Sequence, residues 1–542
     1  MRSVAVRIRR GVLHTLRRFH PDRETVLAAF DARFYLRSHP DVARMGVDPI
    51  EHFLVNGWRE GRDPNRDFSV KEYLEAYPDV AEAGVNPFVH YLRAGRAEGR
   101  SPRQNLGFRY EILANLRTVG ERVADSARAS AGVPANDGAD LVRALATSRA
   151  GLKGLHVTFS HDDYSTNLGG VQLCLQREAA AVQRAGRDHL HLFPAKPWPV
   201  LRLKEPSLLG VVWNGRAVGA FSAAAIAQAL NGRVSGGSFA IHSLLGHSVK
   251  ESLAVLAAAG FKAGYFWLHD FASLCAGFHL LRDDVEDCAA PPPQSPACGI
   301  CVYGPWRARH LAEHRKLFKA LDLTVVSPSQ TTLDLWRASW TFPAKGEVVA
   351  PHARLVARGP APAPKGHRPL RVAFVGLPAA HKGWPVFRDL ALRFAEDPRY
   401  AFHHFGAQAS AGLPVAFHAV SAKGYEPKAM QQALEAAQID VALIWPLCRE
   451  TFSFTAHEAV AAGAAVVTGP DSGNVAAFVA EGGHGRVLAG EQALASAFET
   501  GDIEGLARAR RGARLYDLEF SALTMDLILR DPTGSATGVS GA

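Results

Sequence analysis

Residues 449–479 read RETFSFTAHEAVAAGAAVVTGPDSGNVAAFV, and this stretch decides the fold. It follows VALIWP at 441–446, an apolar run of strand length. A strand, a polar loop and a helix therefore succeed one another. Glu450 stands just before the helix and Glu458 about two turns along it. A carboxylate at a helix start can accept hydrogen bonds from hydroxyl groups. The amides around Thr451, Phe452, Ser453 and Phe454 can donate to an anion there, aided by the helix dipole. Glutamates at this spacing also occur on exposed helices with no ligand, so the flanking context has to carry the reading.

Working upstream, RVAFVG at 371–376 reads as a strand ending in Gly376, and LPAAHKGW at 377–384 as the loop into the next helix. Lys382 on that loop can offer a cation to phosphate. AFHHFG at 401–406 and VAFHAV at 415–420 read as further strands. A Pro- and Ala-rich stretch at 359–369 reads as a linker, which sets off a domain at 370–530.

The preceding half has the same rhythm. LHVTFS at 155–160 reads as a buried strand, HDDYSTNLGGVQ as its loop, and a helix begins near Val171. Gly169 and Gly170 permit close backbone approach at that helix start, which suits a phosphate. They suit a plain glycine-rich turn equally. HLHLF, VVWNG, FAIHS, YFWLH and LTVVS supply more strands, up to about residue 327. Alternating strands and helices predict a doubly wound parallel sheet with ligands beyond the strands' carboxyl ends. His269, beside Asp270, lies at such an end and is a candidate substrate contact. This domain is placed at 153–358.

Four of the six cysteines crowd into the loop 270–304: Cys275, Cys288, Cys298 and Cys301. The last two form CxxC, half of a common zinc pattern. Structural zinc, a redox-sensitive pair and free thiols all remain open. Four thiolates would make a closed structural site with no catalytic position. The acidic stretch Asp283–Asp287 in the same loop reads as solvated surface, and Cys174 and Cys448 as ordinary buried cysteines.

Near the N-terminus, residues 30–64 recur at 68–102 with an offset of 38. Phe30, Tyr35, Pro40, Asp41 and Gly46 return as Phe68, Tyr73, Pro78, Asp79 and Gly84. Asp48, Pro49 and Glu51 predict a capped helix with a capping box, ended by Gly57 in a left-handed turn. Each unit is expected to be a hairpin of two short helices, with His52 and His90 in packing roles. Residues 103–152 read as a helical connector. Residues 1–29 form a basic amphipathic segment: Val4, Ile8, Val12, Leu16 and Phe19 recur at helical spacing among arginines. That suits an anionic membrane surface, or a helix packed on the protein itself. Residues 531–542 are expected to be a disordered tail.

The chain has 542 residues, 47% hydrophobic and 21% charged, with formal net charge +9. This is ordinary globular composition for about three domains. No run spans a bilayer and no signal peptide is visible, so the expectation is a cytoplasmic protein, peripheral on the inner face of a bacterial plasma membrane. Basic residues are not interleaved with aromatics on a strand face, which argues against nucleic acid.

With these residues in hand, the segment 449–479 resembles glycosyltransferase family 4. Glu450, Phe452, Glu458 and Ala459, the segment AAGAAVV and the loop DSGN match that family, as do Gly376 and Lys382-Gly383 upstream. Gly169, Gly170, His269 and Ser327–Gln330 have looser counterparts. The 38-residue units resemble repeats that accompany bacterial glycosyltransferases of surface-polysaccharide synthesis. The resemblance covers about 153–520. It implies an α/β GT-B fold, two Rossmann-like domains facing across a cleft, preceded by a small all-α repeat region. It further implies transfer of a sugar from a UDP- or GDP-linked donor to a glycan or lipid-linked acceptor, with retention of configuration. Glu450, His269 and Lys382 are the expected catalytic set. Gly169, Gly170, Gly376, Lys382, Thr451, Phe452, Ser453 and Glu458 are the expected donor contacts, Glu458 holding the ribose. No cofactor is expected in catalysis. Leu377 stands where the family has arginine, His381 where glutamate is common, and Ser453 where glycine is usual. These departures keep two rivals in view: a non-catalytic carbohydrate- or nucleotide-binding protein, and an enzyme that hydrolyses or epimerises the nucleotide sugar.

Overall fold

The computed structural model describes residues 20–530, apart from 66, 99, 101, 103–106, 168, 204–207, 300, 361–367, 411, 421–425 and 510–513. The basic stretch 1–19, most of the expected linker and the tail 531–542 lie outside the described residues. The chain divides at Asn115/Leu116 into two compact units.

In the first unit each repeat has three short helices and a π-helical turn, one helix more than the hairpin expected. The segments are Ala32–Ser38, Pro40–Met45, Pro49–His52 and Phe53–Gly57, repeated as Val70–Ala76, Pro78–Ala83, Pro87–His90 and Tyr91–Gly95. Asp48 caps as expected, accepting from the amides of Ile50 and Glu51. Glu51 turns instead to the amide of His20 at 3.1 Å and to Arg23, so it completes no capping box. The glycines that end helices in a left-handed turn are Gly46 and Gly84, at φ 64° and 62°, whereas Gly57 is not left-handed as expected. Gly57 is required for space: a Cβ there would stand 2.1 Å from the Tyr35 hydroxyl, and Gly95 repeats the relation with Tyr73. Those hydroxyls bond His52 and His90 at 2.9 and 3.0 Å, so both histidines serve packing. The repeats share one aromatic core, in which Phe88 meets both Phe53 and Phe68.

The second unit carries two large sheets and two two-stranded pairs. In chain order the first domain contributes β1 (Leu155–Phe159), β2 (His189–Pro194), β3 (Leu208–Trp213), β4 (Arg216–Ser222), β5 (Gly237–Ile241) and β6 (Ala263–Trp267). A small hairpin β7 (Leu281–Arg282) and β8 (Glu286–Asp287), then β9 (Asp322–Ser327) and β10 (Gly346–Val349), follow. The sheet order is β10-β9-β6-β5-β1-β2-β3-β4, parallel from β10 to β2. β3 and β4 break the expected parallel pattern as an antiparallel hairpin. Its turn is Asn214-Gly215, both at positive φ, as a two-residue hairpin turn requires. Helices Val119–Ala131 and Gly138–Leu145 send Val119, Leu141 and Leu145 into this domain's core, so residues 116–152 are part of the domain and not a separate connector.

The second domain begins with β11 (Ala353–Pro360), a strand where the start of the linker was expected. β12 (Leu370–Val375), β13 (Tyr400–Gly406), β14 (Ala416–Ala419), β15 (Val441–Leu443), β16 (Ala465–Thr468) and β17 (Gly485–Val487) form an all-parallel sheet in the order β14-β13-β12-β15-β16-β17. That is the dinucleotide-fold order 3-2-1-4-5-6. β18 (Arg514–Phe520) pairs antiparallel with β11. The chain then crosses back, and the helix Thr524–Arg530 belongs to the first domain: the Trp267 indole donates to Thr524 Oγ1 at 2.9 Å, and Met525 packs on Ala181 and Val182. The chain thus adopts two Rossmann-like α/β domains facing across a cleft, with a helical repeat region earlier in the sequence.

Candidate active site

Strand order reverses at β1/β5 in one sheet and at β12/β15 in the other, and the loops leaving β1, β6, β12 and β15 meet at one cavity of about 310 Å³. Such reversals are where open α/β sheets hold ligands.

On the second domain, Lys382 ends a single 3-10 turn, Ala380–Lys382. Gly383 follows at φ 83°, and a Cβ there would stand 1.8 Å from the Trp445 carbonyl. This close approach, with the Leu447 amide donating to His381 O at 3.0 Å, lays the Lys382 loop against the one carrying Glu450. Gly473 of the DSGN loop is placed the same way, at φ 64°, where a Cβ would stand 2.7 Å from Glu450 O. Backbone bonds from Glu450 N to Ser472 O and from Asn474 N to Glu450 O complete the clamp. The outcome is an ion pair, Lys382 Nζ to Glu450 Oε1, at 2.7 Å. Burial disfavours the lysine's charge, but Glu450 more than offsets it and holds the amine above its ordinary range.

The helix Phe454–Ala461 begins at Ser453, whose hydroxyl accepts from the Ala456 amide at 3.3 Å. The serine that replaces the usual glycine is therefore the helix cap. Thr451 Oγ1 donates across the cleft to His269 O at 2.9 Å, and Ser329 Oγ donates to Thr451 O at 3.0 Å. Glu458 lies one turn beyond Phe454 on the same helix face. Its carboxylate has no hydrogen-bond partner among the described residues, and burial pushes it up to about 7, with Arg177 only partly opposing. The Arg177 guanidinium lies over Phe520 at 3.6 Å and Phe454 at 5.0 Å, its Nε and Nη1 buried without partners.

On the first domain, Gly169 caps the helix Gly170–Arg184, and a Cβ on Gly170 would touch Phe454 at 3.8 Å. Next to Arg177 in the chain, Glu178 is fully buried and accepts four donors: His156 Nε2, His242 Nε2, Thr158 Oγ1 and the Thr524 amide. Burial alone would raise this carboxyl; His242 and His156 together hold it well below the usual range. A carboxylate only accepts, so His242 presents Nε2–H to it. With neutral rings, His242 Nδ1 then accepts from His269 Nε2, 2.7 Å away, and His269 keeps Nδ1 as an acceptor. Burial holds His269 well below its ordinary value, hence uncharged. Asp270 beside it is raised by burial, although Ser243 and the Ala272 amide bond it.

Of the residues expected from sequence, Glu450, Lys382, His269, Gly170, Thr451 and Phe452 line the cavity together. Gly169, Gly376, Ser453 and Glu458 stand outside its lining and act, respectively, as helix cap, strand terminus, helix cap and next-turn neighbour. Cys174 and Cys448 are buried as expected but also face the cavity. Leu377 is 64% exposed and outside it. Sequence reasoning missed Arg449, the other cation in the lining besides Lys382, and the Glu178–His242 pair behind His269. Arg449 is held by Asp287 through bonds of 2.7–3.0 Å. The acidic stretch is accordingly no solvated surface: Asp284 bonds Arg122 and Tyr303, and Asp283 accepts from the Val302 amide. His381 stacks on His279 at 4.5 Å. Among the described residues, Cys174, His269 and His352 form a trio with metal-ligating atoms within 4.8 Å of one another, but burial keeps the Cys174 thiol protonated, at about 12. No described helix is long and apolar enough to cross a membrane.

No family model matches the chain, and no curated protein matches it. Solved structures do. Sucrose-phosphate synthase from Thermosynechococcus elongatus is similar at 14% identity over 66% of this chain and 93% of that one, with TM-score 0.38. Anabaena HepE in complex with UDP and glucose is similar at 13% identity over 70% and 99%, with TM-score 0.42. The pneumococcal O-GlcNAc transferase GtfA in complex with UDP and GlcNAc is similar at 10% identity over 66% and 95%, with TM-score 0.42.

Proposed function

We propose that the protein is a glycosyltransferase that moves a sugar from a UDP- or GDP-linked donor to a glycan or lipid-linked acceptor, with retention of configuration. One observation carries the reading: the Lys382–Glu450 pair sits at the switch point of one parallel sheet and faces His269 beyond the other, in a single cavity. The resemblance of residues 449–479 to family 4 supports it.

The chemistry follows from the groups present. Lys382 and Arg449 offer positive charge to the diphosphate, and the amides at the start of the Ser453-capped helix offer donors to it. The sugar C1–O bond to the phosphate breaks as the acceptor hydroxyl oxygen forms its bond to C1 on the same face. The hydroxyl proton passes to the departing phosphate oxygen. Charge developing on that leaving group is what Lys382 stabilises. Glu450, once Lys382 turns to phosphate, accepts bonds from sugar hydroxyls. His269, neutral and held by His242, accepts from a further hydroxyl.

Release of nucleoside diphosphate from UDP-, GDP- and dTDP-sugars, with and without lipid-linked acceptor extracts, tests this. Acceptor-dependent release from the wild type, lost in Glu450→Ala and Lys382→Ala, is the expected result. Equal release without acceptor would favour a hydrolase. Donor-induced thermal stabilisation with no release would favour the binding-protein reading, to which the exposed Leu377 lends weight.

A further inference from the structure

We propose that Cys275, Cys288, Cys298 and Cys301 bind one structural zinc ion. Residues far apart in sequence bring them together. The hairpin β7–β8 carries Cys288 back beside Leu280, whose carbonyl accepts its amide at 2.9 Å. The turn after Cys298 is tight: a Cβ on Gly304 would stand 1.7 Å from Cys298 O. As a result all four cysteines line one small cavity of about 20 Å³, together with Arg307 and Tyr303.

The charge pattern points to an anion at that place. Arg307 is 3% exposed and forms no ion pair with a carboxylate among the described residues. Its Nη1 meets Cys298 Sγ at 2.9 Å, its Nε donates to Leu274 O at 3.3 Å, and its Nη2 has no partner. A buried guanidinium left without a counter-charge is costly. The nearby acids are committed elsewhere, Asp284 to Arg122 and Asp287 to Arg449. Zn²⁺ with four thiolates is a dianion, and it would give Arg307 its missing partner. Backbone amides also face the sulfurs, each two residues on: Gly277 toward Cys275, Ala290 toward Cys288 and Tyr303 toward Cys301. Amides of this kind stabilise metal-bound thiolate.

No three of the sulfurs lie within 4.8 Å of one another. Zinc–sulfur bonds of about 2.3 Å in a tetrahedron require closer spacing, so binding draws the side chains inward about their Cα–Cβ bonds. The loop so fixed reaches the active site twice. Asp287, next to Cys288, holds Arg449, and His279 stacks on His381 beside Lys382. Zinc therefore acts as a positioning element for both cavity cations.

The test uses the full chain, expressed with zinc. Native mass spectrometry and elemental analysis are expected to give one zinc per chain, and exchange with cobalt to give the intense charge-transfer and visible bands of a tetrahedral four-sulfur site. Cys298→Ser with Cys301→Ser is expected to lose the metal, while Cys174→Ser with His352→Ala retains it. A metal-free wild type whose six thiols are all free when titrated in denaturant, or disulfides within 275–304 in the freshly purified chain, overturns the proposal. So does metal that survives loss of Cys298 and Cys301 but not of Cys174 and His352. The wild-type stoichiometry decides the matter even if the serine variants fail to fold.

Discussion

His242 Nδ1 stands 2.7 Å from Nε2 of His269, and the other nitrogen of His242 stands 2.9 Å from a carboxylate oxygen of Glu178. The imidazole at the cavity wall therefore has its tautomer set two residues away, in a place no substrate reaches. Glu178→Gln replaces an obligate acceptor by a group that also donates. The expected outcome is a fall in kcat of about tenfold or more with donor KM changed little, since His269 is misaligned and the phosphate contacts are untouched. Steady-state kinetics decide it; a matching loss in donor affinity would mean that the carboxylate serves the fold alone.

Lys382 is 45% exposed, and its pairing with Glu450 contributes little to stability, about 1 kcal/mol at most. On the proposed function its value lies in the transition state. Lys382→Ala should reduce turnover by about 10²–10³-fold, the range for loss of one charge-stabilising group, while the melting temperature moves by a few degrees at most. Calorimetry and product release, measured on the same preparation, separate the two effects.

Glu458 titrates near 7 because the fold buries it, against an ordinary value near 4.5. The folded state thus holds the proton more tightly than the unfolded chain. Its contribution to stability is fully present below about pH 4.5 and is lost as pH rises through 7. Glu458→Gln removes this dependence. Relative to the wild type, the variant should gain stability between pH 5 and pH 8, by an upper bound of about 3 kcal/mol from the size of the shift. Chemical denaturation at both pH values checks the sign; equal differences at the two would contradict it.

Gly473 and Gly483 share nearly the same positive φ, 64° and 62°, but Gly483 is left-handed helical at ψ 30° whereas Gly473 lies at ψ −124°, a conformation nearly confined to glycine. They differ in surroundings: a Cβ at Gly473 runs into the Glu450 backbone, whereas nothing lies within 4 Å of one at Gly483. Gly483→Ala should therefore cost only the conformational term, about 1 kcal/mol, with activity kept. Gly473→Ala should cost more and reduce turnover by displacing Glu450. Activity per folded molecule, measured for both variants, separates displacement of Glu450 from simple loss of stability.

Much of this was legible in the chain. RVAFVG, AFHHFG and VALIWP are short apolar runs between turn signals, and each became a strand of the second sheet. Lys382 and Glu450 were found because each lies just past a strand end, where ligands gather. Arg449, Glu178 and His242 were not, because their meaning comes from partners far along the chain: Asp287 for Arg449, and His242 for Glu178. No local pattern marks a residue whose role is set by a partner distant in sequence. The β3–β4 hairpin was different, since Asn214-Gly215 was a visible turn signal that was read as the end of a strand. Ser453 shows the converse case: a departure from the family pattern has an ordinary local cause, the capping of a helix.

The chain passes between the two domains twice, once into β11 and once out of β18 to the helix that seats Thr524 on Glu178 and Trp267. A body tethered at one point can tumble; a body tethered at two turns about the line that joins them, like a door on a pair of hinges. Opening of the cleft is thereby reduced to essentially a single swing. The Thr451–His269 and Arg449–Asp287 contacts join the two domains across the cleft and are the latches such a swing must release. Cutting the chain just before Thr524 would remove one hinge and free the second domain to face its partner in orientations that never align the two halves of the site.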